Sequence, residues 1–382
     1  MSDLFPAKPN LPIIGRSHRQ KDKPYRVIQW STGNVGKAAL RGIIEHPDLE
    51  LVGLVVHDPD KAGRDAGDFC GLGPVGVTAT TDIEAALALD ADVVSYTASG
   101  ELRPIEAIDD MERCLRAGKN VVSSSVVMLY YPPAADEGLI DRLKKACVDG
   151  GVSCFSSGID PGFASDLLPL TISGFCSRID SIRVQEIFNY NTYNQPEVMF
   201  NVMGFSQPMD SMPMLLIPGA VSLAWYPIVR MVADGLGVTL DRVDESLKRC
   251  AAPERIETAS GPIEKGTIAG LWFQVKGIVG GEERITMEHV TRMRDDIAPE
   301  WPQPSGNGGY RIIVKGNPNY TVDLEIVGEE GQHVTGGLVG TAMRIINAIP
   351  AVVESPPGLL STLDLPLVLG HMSTKKGVKY CR

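Results

Sequence analysis

The sequence predicts an α/β protein of two domains, a doubly wound parallel sheet followed by an α+β domain with a mixed or antiparallel sheet. Three observations predict it. Between Tyr25 and Gly158, short apolar runs alternate with segments of helical periodicity, as strand–helix–strand units do. Beyond about Asp160 the runs instead alternate apolar with polar residues, and few helices separate them. A chain of 382 residues also exceeds what one minimal core requires.

In order, YRVIQW from Tyr25 reads as a strand, and NVGKAALRGIIEH repeats apolar residues at Val35, Ala39 and Ile43 as a helix does. LELVGLVVHD is the next strand; its unbroken apolar centre suits a strand covered on both faces. There follow helix DIEAALAL, strand ADVVSYTAS, helix PIEAIDDMERCLRAG, strand KNVVSSSV, helix ADEGLIDRLKKACVDG and strand GVSCFSSG. In the second half, DSIRVQEIFNY, GLWFQVKGIVG, ERITMEHVTRM, YRIIVKG and YTVDLEIVG read as strands. PGAVSLAWYPIVRMVADGLGV and GGLVGTAMRIINAIPAVVES read as helices. The expected domains are a flexible arm over residues 1–24, the parallel-sheet domain over 25–160 and the α+β domain over 161–335. A C-terminal helix and tail over 336–382 is expected to return towards the first domain.

A formal charge of −11, from 36 basic and 47 acidic residues, argues against a nucleic-acid partner, which needs a concentrated basic face. No stretch approaches 18 continuous apolar residues, so no membrane partner is expected. Seven scattered cysteines without a CxxC pair point to reduced thiols in a cytoplasmic protein and to no metal site.

The stretch STGNVG, Ser31 to Gly36, lies between the first strand and the first helix. A dinucleotide-binding turn needs a glycine for the tight bend, a second where main chain meets diphosphate, and a third for helix–strand packing. Gly33 and Gly36 supply the second and third; Ser31 replaces the first. Asp58 lies twenty-two residues beyond Gly36, at the end of the second strand. Strand, glycine turn, helix and distal acid together form the context of a Rossmann fingerprint. Ser31, Thr32, Gly33, Asn34, Val35 and Gly36 are therefore expected to hold the diphosphate of NAD(P)H. Asp58 suits the ribose hydroxyls of NAD, whereas Lys61 and Arg64 suit the 2′-phosphate of NADP; Lys61 reads equally well as a solvated loop charge.

With these residues placed, the chain resembles the dihydrodipicolinate-reductase-like oxidoreductases, in the branch of 2,4-diaminopentanoate dehydrogenase and the native amine dehydrogenases, in its actinobacterial form. The resemblance runs from about Tyr25 to Gly370 and rests on RVIQWSTGNVGKAALRGI, AGKNVVSSS, SSGIDPGFASDLLPL, HVTRM, IAPEWPQP and IINAIPAVVESPPGLLSTLDLPLV. It implies a homodimer that passes hydride between the nicotinamide and a C=O or C=N carbon of a ketone, imine or amine. It also implies that Thr97, Ala98, Ser123, Asp160 and Pro161 contribute to the coenzyme site. Amine dehydrogenases place a glutamate just after the GKNVxS strand; here Val126-Val127-Met128 stand there. The resemblance therefore leaves three readings: a ketone or imine reductase, an amine dehydrogenase, and a nucleotide-binding protein without turnover.

Three side chains are the candidates for catalysis. Glu101, in GELRP after the fourth strand, suits an acid or base, or else a helix-start carboxylate. Tyr130 offers a phenol to a developing alkoxide, or packs as many tyrosines do. Ser125 closes a run of three serines that has no histidine partner and so makes no nucleophile. Asp166 is expected to cap a helix, and His289 to be a hydrogen-bonded structural residue. The aromatic and amide residues around Tyr190, Tyr193, Phe200 and Phe205 suit a substrate pocket or a dimer-facing loop equally.

Overall fold

The computed structural model describes residues 23–100 and 103–371. The expected arm thus lies outside the described residues except for Lys23 and Pro24.

The chain runs β1 (Tyr25–Trp30), α1 (Asn34–Glu45), β2 (Leu49–Val55), β3 (Ala79–Thr80), α2 (Ile83–Leu87), β4 (Val93–Tyr96), α3 (Pro104–Arg116), β5 (Asn120–Ser123), α4 (Glu137–Gly150) and β6 (Ser153–Ser156). It continues through α5 (Leu167–Ser173), β7 (Arg178–Asn189), α6 (Ala220–Gly235), β8 (Arg242–Ala251), β9 (Ile268–Val279), β10 (Glu282–Arg292), β11 (Gly309–Asn317) and β12 (Tyr320–Glu325). Last come α7 (His333–Ile346), α8 (Ile349–Glu354) and β13 (Gly358–Leu360).

The first sheet has the order β13-β6-β5-β4-β1-β2-β3. β1 pairs in parallel with both β2 and β4, β4 with β5, and β13 with β6. Because β1 is followed by β2 on one side and later by β4 on the other, strand order reverses between β1 and β4. That is where an open parallel sheet leaves a crevice at its carboxyl edge. Val27, Ile28, Trp30, Leu54, Val93, Val94, Val121 and Val122 are buried, as covered strands require.

The second sheet has the order β12-β11-β7-β10-β9-β8. It is mixed: β7 and β10 run parallel, while the other pairs are antiparallel. Helix α6 packs on it and buries Val221, Ile228, Val229, Met231 and Val232, each worth roughly 1.5–3 kcal/mol of apolar burial.

By contacts, residues up to Ser125, Asp141–Phe155 and those from Ile345 onward form one unit, and Val126–Ile140 with Ser156–Arg344 form the other. The division differs from the expected one, beginning with residues 156–160, which belong to the second unit. Residues 126–140, directly after β5, group with the second sheet, and the chain returns to the first unit at Ile345 rather than near 336. The expected single late helix is two, α7 and α8; together they span 22 residues of mean hydropathy 1.4, long and apolar enough by composition to cross a membrane. Ala342, Ile345, Ile346, Ile349 and Val352 on them are nonetheless fully buried in protein.

Four elements escaped the sequence reading. β8 carries RVDESLKRCA on a sheet edge, largely exposed, so it shows no apolar alternation. β3, β13 and α5 are too short to show a period.

Helix α6 begins at Gly219, whose φ of 88° is in the left-handed region. No side chain of the helix itself caps it; Glu245 on β8 accepts from the N–H groups of Gly219 at 2.6 Å and Ser222 at 2.8 Å. Burial acts to raise this carboxyl, but those N–H bonds hold it below the ordinary carboxylate range. Glu245→Ala should therefore cost about 1 kcal/mol, read as a lower urea midpoint at pH 7. That difference should shrink as pH falls through the carboxylate range, because a depressed acid stabilises only while ionised; a pH-independent difference would contradict the assignment.

Candidate functional site

The turn after β1 is built by main chain and buried polar groups. Ser31 N–H donates to Val55 O at 2.8 Å, which ties the turn to β2. Gln29, fully buried on β1, donates from Nε2 to Trp30 O, Ser31 O and Thr97 Oγ1 at 3.2, 3.0 and 2.8 Å. Thr97, just past β4, donates its hydroxyl back to Trp30 O at 2.9 Å. Ser31 adopts φ 81°, the left-handed conformation that the missing first glycine would take freely. The serine keeps the bend at about 1–2 kcal/mol of strain.

The two glycines differ. A Cβ on Gly36 would meet Ser31 O at 2.5 Å and Thr97 Oγ1 at 2.9 Å, so this position closes the helix onto the turn. A Cβ on Gly33 would meet nothing nearer than 4.0 Å, and its φ of −71° suits any residue. Glycine at 33 is therefore not required by the protein's own packing. It leaves room against the main chain, as a diphosphate needs. Gly33 also caps α1 without any side-chain hydrogen bond, so the helix dipole opens on the same space. The residues present fit a dinucleotide, with Ser31, Thr32, Gly33, Asn34, Val35 and Gly36 around its phosphates.

The remaining coenzyme candidates separate. Lys61 reaches this turn, donating from Nζ to Thr32 Oγ1 at 3.3 Å. Asp58 is exposed and accepts from Asp60 N–H at 3.0 Å, capping the 3₁₀ turn Pro59–Lys61. Arg64 lies over the Phe69 ring, 4.6 Å from its centre. Thr97 and Ala98 are buried at the end of β4. Ser123 Oγ accepts from Ser125 N–H at 3.1 Å, and Ser125 Oγ donates to Tyr96 O at 3.3 Å. Both serines therefore shape the loop after β5. Glu101 lies outside the described residues.

In the second unit a buried acid cluster surrounds the GIDPGF turn. Strand register places Glu186 of β7 opposite His289 of β10 and Tyr310 of β11, with Phe273 of β9 beyond the histidine. Glu186 Oε1 lies 3.0 Å from His289 Nε2 and accepts from the Tyr190 hydroxyl at 2.7 Å. His289 Nδ1 is 2.8 Å from Thr291 Oγ1, and its ring stacks on Phe273 with 4.9 Å between centres. Asp160, joined to Pro161 by a cis bond, also hydrogen-bonds Glu186. Two acids attract only when they share a proton. Burial first, and the Glu186 charge second, raise Asp160 well above the ordinary range. Burial would raise Glu186 too, but the His289 charge and the bonds from His289, Asp160 and Tyr190 hold it down at about 2. Asp160 is thus the protonated partner and Glu186 the carboxylate. Tyr130 is buried on the neighbouring segment, where a Cβ on Gly158 would come within 3.1 Å of its hydroxyl.

Sequence reasoning named Asp160 and His289 but not Glu186. The available signal was phase: Ile182, Val184, Glu186 and Phe188 share one face of β7, and a lone acid on an apolar face is the anomaly to notice. Asp166 caps α5 through Leu167 N–H, as its position before the helix suggested. Val126, where amine dehydrogenases carry glutamate, is buried and apolar.

One group of metal-ligand type occurs among the described residues: His46, Asp48 and His371, with ligand atoms within 4.8 Å of one another. His46 Nδ1 accepts from Asp48 N–H at 3.1 Å, which leaves the ring proton on Nε2 and makes the imidazole a poor ligand.

Two substitutions separate packing from ligand space. Gly33→Val should leave the melting temperature within about 2 °C of the wild type yet weaken NAD(P)H binding more than tenfold. Gly36→Ala should lower both, by about 1–3 kcal/mol in stability; equal behaviour of the two in calorimetry and fluorescence titration would contradict this picture.

A third prediction concerns Asp166. Burial lifts its carboxyl from the ordinary 3.8 to about 6, against the opposing pull of the Leu167 N–H and Arg344. A raised acid contributes its full stability below the unfolded value, and loses that contribution as pH rises through the folded one. Relative to Asp166→Asn, the wild type should lose on the order of 2–3 kcal/mol between pH 4 and pH 7. Parallel urea midpoints for the two proteins across that range would refute it.

Comparison with known proteins agrees with this geometry. The family described as dihydrodipicolinate reductase, N-terminus, matches residues 27–125, and 2,4-diaminopentanoate dehydrogenase C-terminal domain matches residues 163–379. An amine dehydrogenase of Streptomyces virginiae is 42% identical over 355 residues, covering 91% of this chain and 99% of that one. The 2,4-diaminopentanoate dehydrogenase of Acetoanaerobium sticklandii is 26% identical, covering 90% and 93%. Among solved structures, an amine dehydrogenase from Mycobacterium smegmatis shares the fold with a TM-score of 0.74 at 18% identity, over 93% of this chain and 99% of that one. The chain therefore belongs to the amine dehydrogenase and 2,4-diaminopentanoate dehydrogenase family, and is an NAD(P)-dependent oxidoreductase.

Proposed function

We propose that this enzyme interconverts an amine and the matching carbonyl compound, with ammonia as the nitrogen source, on a small and largely apolar substrate. The observation that carries the reading is the 42% identity to an amine dehydrogenase along nearly all of both chains. In the reductive direction ammonia adds to the carbonyl carbon and water leaves. The carbon then gains hydride and the nitrogen a proton. Bound NAD(P)H supplies that hydride, or NAD(P)+ accepts it in the oxidative direction.

The chain's own residues supply position and protons. The turn 31–36 anchors the coenzyme through main-chain N–H groups. Asp160 holds a proton beside the Glu186 carboxylate, and His289 and Tyr190 fix the position of that carboxylate. This pairing suits general acid–base work, in which one group donates while its neighbour takes up charge. Glu101 retains its place as the candidate contact to the amine, and the Tyr130 phenol is the candidate donor to an alkoxide. Ser125 contributes by shaping the loop after β5. We further propose a homodimer working in the cytoplasm, on the family resemblance and on cysteines that are free in the described structure.

A second reading, reduction of a ketone to an alcohol without ammonia, is favoured by one feature: the apolar Val126-Val127 at the position of the family's glutamate. Coenzyme oxidation with a panel of apolar ketones, with and without ammonium, tests both. The first reading requires ammonium-dependent turnover and an amine product; equal turnover without ammonium, yielding alcohol, would overturn it. Glu186→Gln should lower kcat roughly a hundredfold while retaining coenzyme binding. An unchanged kcat would reduce the acid cluster to a structural role.

A further inference from the structure

The loop after β2 carries the charges from which coenzyme preference would be read, and the structure separates them. Asp58 Oδ1 is engaged by Asp60 N–H, and Lys61 N–H donates to Asp58 O at 3.0 Å. With Pro59 at the start, this compact 3₁₀ turn fixes the direction in which Lys61 leaves the main chain. The Lys61 side chain is half-buried and reaches across to β1, ending 3.3 Å from Thr32 Oγ1. Thr32 is only 4% exposed and sits between Ser31 and Gly33, inside the phosphate turn. Arg64, the other basic residue of the loop, is instead exposed and lies over Phe69.

We propose that Lys61 clamps the diphosphate shared by NAD and NADP, and does not read the 2′-phosphate that distinguishes them. An ammonium has three donors, and the described structure assigns one of them to Thr32. No carboxylate pairs with Nζ among the described residues, so its charge is not neutralised from within the protein. Placed beside the one stretch where main-chain N–H groups and a helix dipole already favour anions, that charge adds a point attraction to the same phosphates. The threonine hydroxyl holds the ammonium in place before coenzyme arrives, which cuts the ordering cost of a long flexible side chain. The inference rests on the coenzyme reading of the turn after β1.

The test is direct binding, followed by tryptophan fluorescence and calorimetry with NADH and with NADPH. Lys61→Met should weaken both coenzymes by the same factor, roughly ten- to a hundredfold. The loss should shrink as salt is raised, since salt screens an exposed charge. Lys61→Arg, which keeps the charge, should recover most of the affinity for both. Thr32→Val should give a smaller loss, again equal for the two. Melting temperatures of the variants confirm that each is folded. A loss confined to NADPH would overturn the proposal in favour of a 2′-phosphate reader, and no loss for either coenzyme would make Lys61 a solvated loop charge. Failure of the wild type to bind NADH or NADPH would instead remove the coenzyme reading itself, an outcome visible before any variant is made.

Discussion

One buried amide holds the nucleotide corner together. Gln29 Nε2 bonds two successive carbonyls of the turn, Trp30 O and Ser31 O, and the hydroxyl of Thr97 on the adjacent loop. Trp30 O is held as well by the N–H and hydroxyl of Thr97, so the amide matters most to Ser31 O, where an unpaired buried carbonyl would cost about 1–3 kcal/mol. The network also spans β1 and the segment after β4, the two neighbours between which strand order reverses. The shape of the turn and the sheet topology are therefore tied together by two side chains, Gln29 and Thr97, and the carbonyls of Trp30 and Ser31.

This explains how a serine can stand where the fingerprint has glycine. At φ 81° Ser31 is strained, yet its N–H bond to Val55 O and its carbonyl bond to Gln29 over-determine the conformation. Gly36 has no such latitude, because a Cβ there would strike main chain 2.5 Å away. The motif tolerates change where the constraint is torsional and rejects it where the constraint is space.

The alternating strands and helices of the first domain were legible because each element has its own period and its own glycine or proline boundary. The glycine turn was legible as a turn because it is local, six consecutive residues between one strand and one helix. The acid cluster was not, since Glu186, His289 and Tyr310 are separated by about a hundred residues or a few tens of residues and meet only through the register of three strands. A one-residue slip of β7 would carry Glu186 to the other face. Lys61 shows the intermediate case. Its charge was visible in the sequence, but only the 3₁₀ turn that Asp58 caps shows that its side chain ends beside Thr32. The edge strand β8 and the three-residue β13 carry too little apolar pattern for any such reading.

The two units distribute the work according to what each kind of group can do. Main-chain N–H groups do not titrate, so their share of an anion site is independent of pH. Proton transfer needs groups that do titrate, and the second unit buries such a set: burial first, and the neighbouring Glu186 charge second, keep the proton on Asp160, while Tyr190 and His289 bond the Glu186 carboxylate. Replacing such a pair with apolar residues of the same volume is generally neutral or stabilising, so stability alone does not account for keeping five ionisable or phenolic groups in one apolar layer. The proposed function would give them a purpose, with the apolar Val126-Val127 where the resemblance leads one to expect a carboxylate. On the proposed function, an enzyme that moves hydride to or from a carbon bearing nitrogen still needs a place to put a proton, and this buried cluster offers one.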